Sequence, residues 1–220
     1  STPSTAADTP SYTEIVVATD TVGPTSTPTL KLTQTPTPTI TPTPQPTPVG
    51  GSGRIAFASD MTGTPQIYVI NADGTVLRQI TDMSEGACQP DWSPDALRLV
   101  FISPCESNRS DYLYTISAMY IINLDGTGLL PLPTLSGGDF DPVWSPDGKK
   151  IAFTSLRNSS RPQIYVLDLD TNQVEVISEK YSYDQQPAWS KDGKTIIFST
   201  NRRGMQHIWV MDADGKNARQ

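Results

Sequence analysis

The side chains that could do chemistry in this sequence are few, and their types narrow what that chemistry is. His207 is the single histidine, so neither a His-centred triad nor a multi-histidine metal site can be assembled. Cys88 and Cys105 are too few for a structural zinc site, and no histidine lies near them. Asp60, Asp139 and Asp141 come nearest to a cation-binding set, but their dispersed spacing lacks the compactness of a calcium loop. There is no Gly-x-Ser-x-Gly elbow, no His-Glu-x-x-His and no phosphate-binding glycine loop. The residues therefore describe a non-catalytic chain that needs no metal and no cofactor. The chemistry left to it is recognition and covalent bracing.

Recognition has better material. Residues 104–117, PCESNRSDYLYTIS, carry Arg109, Tyr112 and Tyr114, side chains suited to a protein contact. Arg157, Arg161, Arg202 and Arg203 lie in loops of one class and would ring one face, where they either receive an acidic group or remain solvated charge. Asn108-Arg109-Ser110 and Asn158-Ser159-Ser160 match the acceptor pattern for N-linked glycan. Thr35, Thr37, Thr39, Thr41 and Thr43 are the stronger candidates for O-linked sugar.

Charge excludes two classes of partner. Lys and Arg number 16 against 23 Asp and Glu, a formal charge of −7, which suits neither nucleic acid nor an anionic membrane surface. No apolar run approaches the roughly 18 residues of a membrane span, so direct membrane insertion is not expected.

The elements that must position these residues follow from a change of composition. Ten of the 20 prolines fall in the first 50 residues. Over 23–48 proline alternates with threonine, which blocks helix and favours an extended stalk rising about 3.1 Å per residue. Residues 12–19, YTEIVVAT, could form one strand, which needs another sheet to join. Gly50-Gly51-Ser52-Gly53 makes a flexible joint. The expected organisation is an N-terminal segment over 1–22, a Thr/Pro-rich linker or stalk over 23–53, and a folded part over 54–220.

The folded part repeats. IAFAS, LVFIS, IAFTS and IIFST begin at 55, 99, 151 and 196, spacings of 44, 52 and 45 residues. IYVINADGT, MYIINLDGT, IYVLDLDT and IWVMDADGK follow in step, and QPDWSPDALR, DPVWSPDGKK and QPAWSKDGKT precede the last three copies of the first element. The β-branched and aromatic cores read as strands, and Asp-Gly and Ser-Pro-Asp-Gly as tight turns. Four short antiparallel strands at this period are the blades of a β-propeller. Trp92, Trp144 and Trp189 occupy one equivalent position, where an indole fills the wedge between blades more readily than it forms a sugar-binding ladder. Cys88 and Cys105 flank the two strands of one hairpin, so a disulfide is expected over free thiols, and with it an oxidising compartment.

The run Pro142-x-Trp144-Ser145-Pro146-Asp147-Gly148-Lys149-x-Ile151-x-Phe153, followed by Ile-Tyr-Val and an Asp-Gly turn, resembles the WD40-like (PD40-type) repeats of TolB-type β-propellers over residues 54–220. One copy departs at Ala96 and Leu97, where glycine and lysine are expected, and Ala96 is strained if its turn needs positive φ. Another has Lys191 in place of proline. The resemblance implies an all-β chain of propeller blades that binds protein outside the cytoplasm, in the periplasm or at the cell surface. The Thr/Pro stalk lies outside that pattern and favours a tethered surface module. The repeats provide 14 strands in groups of three, four, four and three, or about 3.5 blades. An open arc exposes apolar faces, so the chain is expected to be a fragment, to pair as a dimer, or to polymerise into a filament by strand exchange. A propeller that gates a serine peptidase is the alternative from another class, and it requires a hydrolase domain that these residues do not contain.

Overall fold

The computed structural model describes residues 53–105, 114–157, 160–180 and 182–220. The expected strand at 12–19, the Thr/Pro tract with its threonines, Asn108, Arg109, Tyr112 and Asn158 all lie outside the described residues. Over the rest the chain is all β, with 14 strands and, among the described residues, no helix.

The strands fall into four antiparallel sheets, called here blades 1 to 4. Blade 1 holds β1 (Arg54–Ser59), β2 (Gln66–Asn71) and β3 (Arg78–Gln79). Blade 2 holds β4 (Cys88–Trp92), β5 (Arg98–Ser103), β6 (Ala118–Asn123) and β7 (Leu130–Pro131). Blade 3 holds β8 (Asp139–Trp144), β9 (Lys150–Ser155), β10 (Gln163–Asp168) and β11 (Val174–Val176). Blade 4 holds β12 (Asp184–Trp189), β13 (Thr195–Arg203) and β14 (Met205–Asp212). The grouping of three, four, four and three is the one the repeats predict. In blade 4 a single bridge, Val210 to Arg219, stands where an outer strand would begin. The outer strands are brief: β3 spans two residues and β11 three.

Local chemistry explains why these strands turn where they do. In each Ser-x-Asp turn the aspartate accepts from the serine hydroxyl, at 2.5 Å for Ser93 to Asp95, 2.7 Å for Ser145 to Asp147 and 2.6 Å for Ser190 to Asp192. The same Oδ1 accepts the backbone N–H two residues on, from Leu97, Lys149 and Lys194. The turn is thus closed by its own side chains. Its last residue has positive φ: 75° at Gly148, 69° at Gly193, and 56° at Ala96, the strained position expected from the sequence.

Each inner strand then carries a bulge, between Cys88 and Asp91, Phe140 and Val143, and Gln185 and Ala188. The bulged residues Gln89, Asp141 and Gln186 have φ of 54°, 52° and 56°. That geometry frees a side chain to reach the next blade. Gln89 Oε1 accepts from the Asp141 N–H at 2.7 Å, and Asp141 Oδ2 from the Gln186 N–H at 3.3 Å. Asp91 Oδ2 accepts from the Trp144 N–H at 2.7 Å.

Side-chain alternation sends one face of each sheet to the blade before it and the other to the blade after it. Leu99, Phe101 and Ile122 of blade 2 pack with Ile67 and Val69 of blade 1. Val100, Ile102, Met119 and Ile121 of the same sheet pack with Phe140, Trp144, Ile151, Phe153, Tyr165 and Leu167 of blade 3. Ala152, Ile164 and Val166 then meet Ile196, Phe198 and Met211 of blade 4. Blades 2 and 3 are apolar on both faces for this reason, which is why their strands read as nearly continuous hydrophobic runs. The tryptophans sit at these seams. The Arg54 guanidinium lies 5.2 Å from the Trp92 ring, and Arg98 lies 5.1 Å from Trp144, each reaching across from the preceding blade. Trp144 Nε1 also donates to the Gly148 carbonyl at 3.1 Å, tying the indole to its own turn.

Candidate functional site: one loop end of the blades

Two of the arginines marked for recognition, Arg157 and Arg202, lie where the second strand of a blade leaves, beside the start of its inner strand. In blade 3 the Arg157 guanidinium folds back over the stacked Phe153 and Tyr165 rings, at 5.0 and 5.2 Å. It meets Asp139 Oδ2 at 2.7 Å, with both side chains almost entirely out of water. Ser155 Oγ donates to the other carboxylate oxygen at 2.6 Å and accepts the Arg157 N–H at 3.1 Å. Blade 4 repeats the device. Arg202 lies over Phe198 and Trp209 at 5.4 and 5.1 Å, and reaches Asp184 Oδ2 at 2.6 Å. Ser182 Oγ donates to that carboxylate at 2.6 Å.

Blade 2 solves the same problem with a covalent bond. Cys105 follows β5 as Arg157 follows β9, and Cys88 begins β4 beside the place of Asp139. The two form a disulfide with Cα atoms 5.8 Å apart. The register that pairs Cys88 with Ile102 brings them together, as the hairpin reading expects. The sequence leaves Arg157 and Arg202 either to receive an acidic group or to remain solvated charge, whereas the structure places both inside the blades, paired with Asp139 and Asp184. Asp139 is for the same reason engaged rather than open to a cation. The missed signal was in the sequence: Asp139 and Arg157 are 18 residues apart, as are Asp184 and Arg202.

The other marked residues are dispersed. Arg161 stacks on Tyr183 at 5.4 Å, and Arg203 on Trp209 at 5.6 Å. His207 Nδ1 is 2.8 Å from the Met205 carbonyl oxygen. Its counterparts Gln66 and Gln163 are buried and donate to the Met83 and Glu179 carbonyls at 2.7 and 3.2 Å, holding the link to the following blade. Asp60 closes a turn through its carbonyl, which accepts from Gly63 N–H at 2.7 Å. Burial pushes the carboxyls of Asp91 and Asp141 up from their ordinary range, and the hydrogen bonds to Trp144, Thr154 and Gln186 offset part of that rise. Among the described residues no three His, Cys, Asp or Glu side chains are placed to hold a metal ion.

Of the side chains marked in the insertion, Tyr114 is the one that lies among the described residues, and it is well fixed. Its ring tilts against Phe140 with centroids 6.0 Å apart. Its carbonyl accepts from Ser117 Oγ at 2.8 Å, and that hydroxyl also reaches the Asp139 carbonyl at 2.8 Å. Gly138, at φ 85°, lies so close that a Cβ there would collide with the Tyr114 carbonyl oxygen. One foot of the insertion, Cys105, is therefore bound covalently to blade 2, and the other, Tyr114, is packed on blade 3. A cavity of about 300 Å³ near the start of β12 is lined by Tyr183, Gln185, Asn201, Gly204 and Gln206. No carboxylate, thiol or imidazole lines it, so it offers contact without acid–base chemistry.

Comparison with known proteins agrees with this architecture. Residues 114–220 match the family described as PD40, TolB beta propeller domain. A protein TolB homolog of Chlorobium luteolum is 29% identical over 153 residues, covering 54% of this chain and 35% of that protein. The Tol-Pal system protein TolB of Bordetella pertussis is 29% identical over 156 residues, with the same two coverages of 54% and 35%. The chain thus spans about a third of the length of these curated relatives. The solved structure of TolB from Acinetobacter baumannii superposes with a TM-score of 0.61 at 24% identity, covering 76% of this chain and 41% of that one.

Proposed function

We propose that this chain, a TolB-like β-propeller array of PD40-type repeats, is a non-catalytic protein-binding module of the cell envelope or cell surface. The observation that carries the reading is the anchored insertion over 104–117. Both feet are fixed to adjacent blades, one by Cys88–Cys105 and the other by the packing of Tyr114 on Phe140 and Gly138. Anchoring a long loop at both feet reduces the entropy lost when its side chains are held by a partner. Arg109, Tyr112 and Tyr114 are the contact residues of this proposal, being the types that dominate protein interfaces. Arg157 and Arg202 support the platform from inside. The disulfide favours an extracytoplasmic location, where thiols are oxidised. The Thr/Pro segment serves as the tether, and Thr35, Thr37, Thr39, Thr41 and Thr43 as acceptors of O-linked sugar, with Asn108 and Asn158 as the N-linked sites.

The test is capture of crosslinked envelope proteins by the wild-type chain, by an Arg109→Ala/Tyr112→Ala variant, and by a Lys194→Ala control on a distant turn. The species captured by wild type and control should fall at least tenfold with the loop variant. Equal capture by all three overturns the loop as the recognition site. An intact mass with no addition in sugar-sized steps, on protein taken from its native compartment, removes the glycan proposal.

A further inference from the structure

Blades 1 to 3 each end in an outer strand whose far edge pairs with no other strand among the described residues, and the three strands treat that edge differently. β3 is two residues long, and the guanidinium of its Arg78 is drawn onto the Leu124 carbonyl of blade 2. In β7 the Leu132 N–H donates to the Met119 carbonyl at 3.0 Å, so Leu132 turns inward and Pro131 and Pro133 stand at the outward positions. Proline has no N–H, and that edge offers no donor there. β11, Val174-Glu175-Val176, carries neither proline nor cation. The Asp168 N–H donates to the Gln173 carbonyl at 2.9 Å and the Ile177 N–H to the Ile164 carbonyl at 3.0 Å, which leaves the backbone groups of Val174 and Val176 pointing outward. This edge is unguarded.

Beside it lies an apolar groove. Register sets Val174 and Val176 opposite Leu167 and Tyr165, on the side of blade 3 turned to blade 2. It sets Leu130 opposite Ile121, on the side of blade 2 turned to blade 3. Leu132 is buried in the core between these blades, and Val174 packs against it. Leu130 and Val176 carry that surface outward and are 53% and 49% exposed. Both blades are complete four-stranded sheets, so neither the edge nor the groove is owed to a missing strand.

Charge says what kind of chain fits. Residues 124–147 and 162–179, which supply the outer strands and turns along this seam, contain no lysine or arginine. Asp170 and Glu175 are exposed there. Three neighbouring cations are engaged by other carboxylates: Arg78 acts on Asp125, Lys150 on Asp168, and Arg202 meets Glu179 at 3.2 Å. Val176 and Glu175 stand on opposite faces of β11. A strand laid along the edge meets the groove with alternate side chains, where apolar groups fit, and Glu175 with the others, where basic groups fit.

We infer that the edge of β11 takes, as an added strand, an extended segment of a protein partner with alternating apolar and basic side chains. The apolar side chains fill the groove between Leu130 and Val176. The inference does not rest on the loop reading above, because the insertion joins β5 to β6 and the edge belongs to the outer strand of blade 3.

The probe is a short labelled peptide of alternating valine and lysine, titrated against the 220-residue chain by fluorescence anisotropy. The same residues in block order, and a peptide of alternating valine and glutamate, serve for comparison. The wild type should bind the valine–lysine peptide and neither of the others. Val176→Pro removes an N–H that the sheet does not use, so folding should survive, and binding should weaken about tenfold. A valine–lysine peptide N-methylated along one edge tests the same bonds on the unaltered protein and should weaken likewise. Glu175→Lys should exchange the preference, taking the valine–glutamate peptide instead. No binding of the valine–lysine peptide, equal binding of the block-ordered one, or equal binding of the N-methylated one overturns the inference. Native mass by light scattering identifies the rival occupant: a dimeric wild type with a monomeric Val176→Pro assigns the edge to a second copy and overturns the basic partner.

Discussion

Arg157 and Asp139 meet at 2.7 Å in a place that water does not reach, and in the blade before them the same junction is closed by a disulfide between Cys105 and Cys88. Three blades thus fasten the exit of the second strand to the start of the inner strand, twice by charge and once by covalent bond. Removing one member of a buried pair leaves an uncompensated charge, at a cost of about 3–5 kcal/mol. Asp139→Ala should therefore lower the unfolding free energy in urea by about that amount. The double variant Asp139→Leu/Arg157→Met, which leaves no charge behind, should lose less than Asp139→Ala alone. A double variant at least as unstable as the single one would mean that the charges themselves, and not their pairing, are stabilising.

The disulfide closes a loop between residues 17 apart. Tying the unfolded chain at that separation is worth about 3 kcal/mol by the loop-entropy account. Cys88→Ala/Cys105→Ala should lower the urea midpoint accordingly, and reductant should lower the wild type to the same value while leaving the variant unchanged. Thiol titration of the unreduced, unfolded protein should count no thiol.

Ala96 holds a φ of 56° in the turn where the other repeats have Gly148 and Gly193. The left-handed region costs an L-residue about 1–2 kcal/mol, and glycine returns part of that gain by its greater freedom when unfolded. Ala96→Gly should raise stability by about 0.5–1 kcal/mol, and Gly148→Ala should lower it by a similar amount. The two thermal midpoints should move in opposite directions.

The turn aspartates predict sensitivity to acid. Hydrogen bonds from Thr75, Ser93, Thr127, Ser145, Thr171, Ser190 and Lys216 hold Asp73, Asp95, Asp125, Asp147, Asp168, Asp192 and Asp214 below the ordinary carboxylate range. A depressed folded pKa gives stability that is present above the unfolded value and is lost as pH falls through the folded one. Asp91 and Asp141 act in the opposite sense, since burial raises them and protonation relieves that burial. The contribution of the seven should be lost as the pH drops below about 4. Asp147→Asn should flatten that fall, which a series of urea unfolding curves between neutral and acidic pH would show. Asp141→Asn should steepen it.

Much of this molecule is legible in the order of its residues, because much of it is made by local rules. Period-two apolar strands, Asp-Gly hairpins and Ser-x-Asp turns closed by their own side chains need no distant partner. They therefore reveal the blades, the number of strands and the strain at Ala96. The pairing of Cys88 with Cys105 was legible for the same reason, since the hairpin that joins them is local. What the tertiary structure alone decided is the state of side chains whose neighbours come from elsewhere. Arg157 and Arg202 read as surface cations because their carboxylates lie 18 residues back along the chain, outside their own loops, and only the repetition of that spacing hints at the pairing. They become buried only when the inner strand brings Asp139 and Asp184 beside them. Trp92 and Trp144 read as wedge fillers, but the cations above them come from Arg54 and Arg98 of the preceding blade. The face of the sheet on which Ile55 or Ile208 stands is likewise invisible until strand register has assigned it, because a one-residue slip would send every side chain of the strand to the opposite side of its sheet.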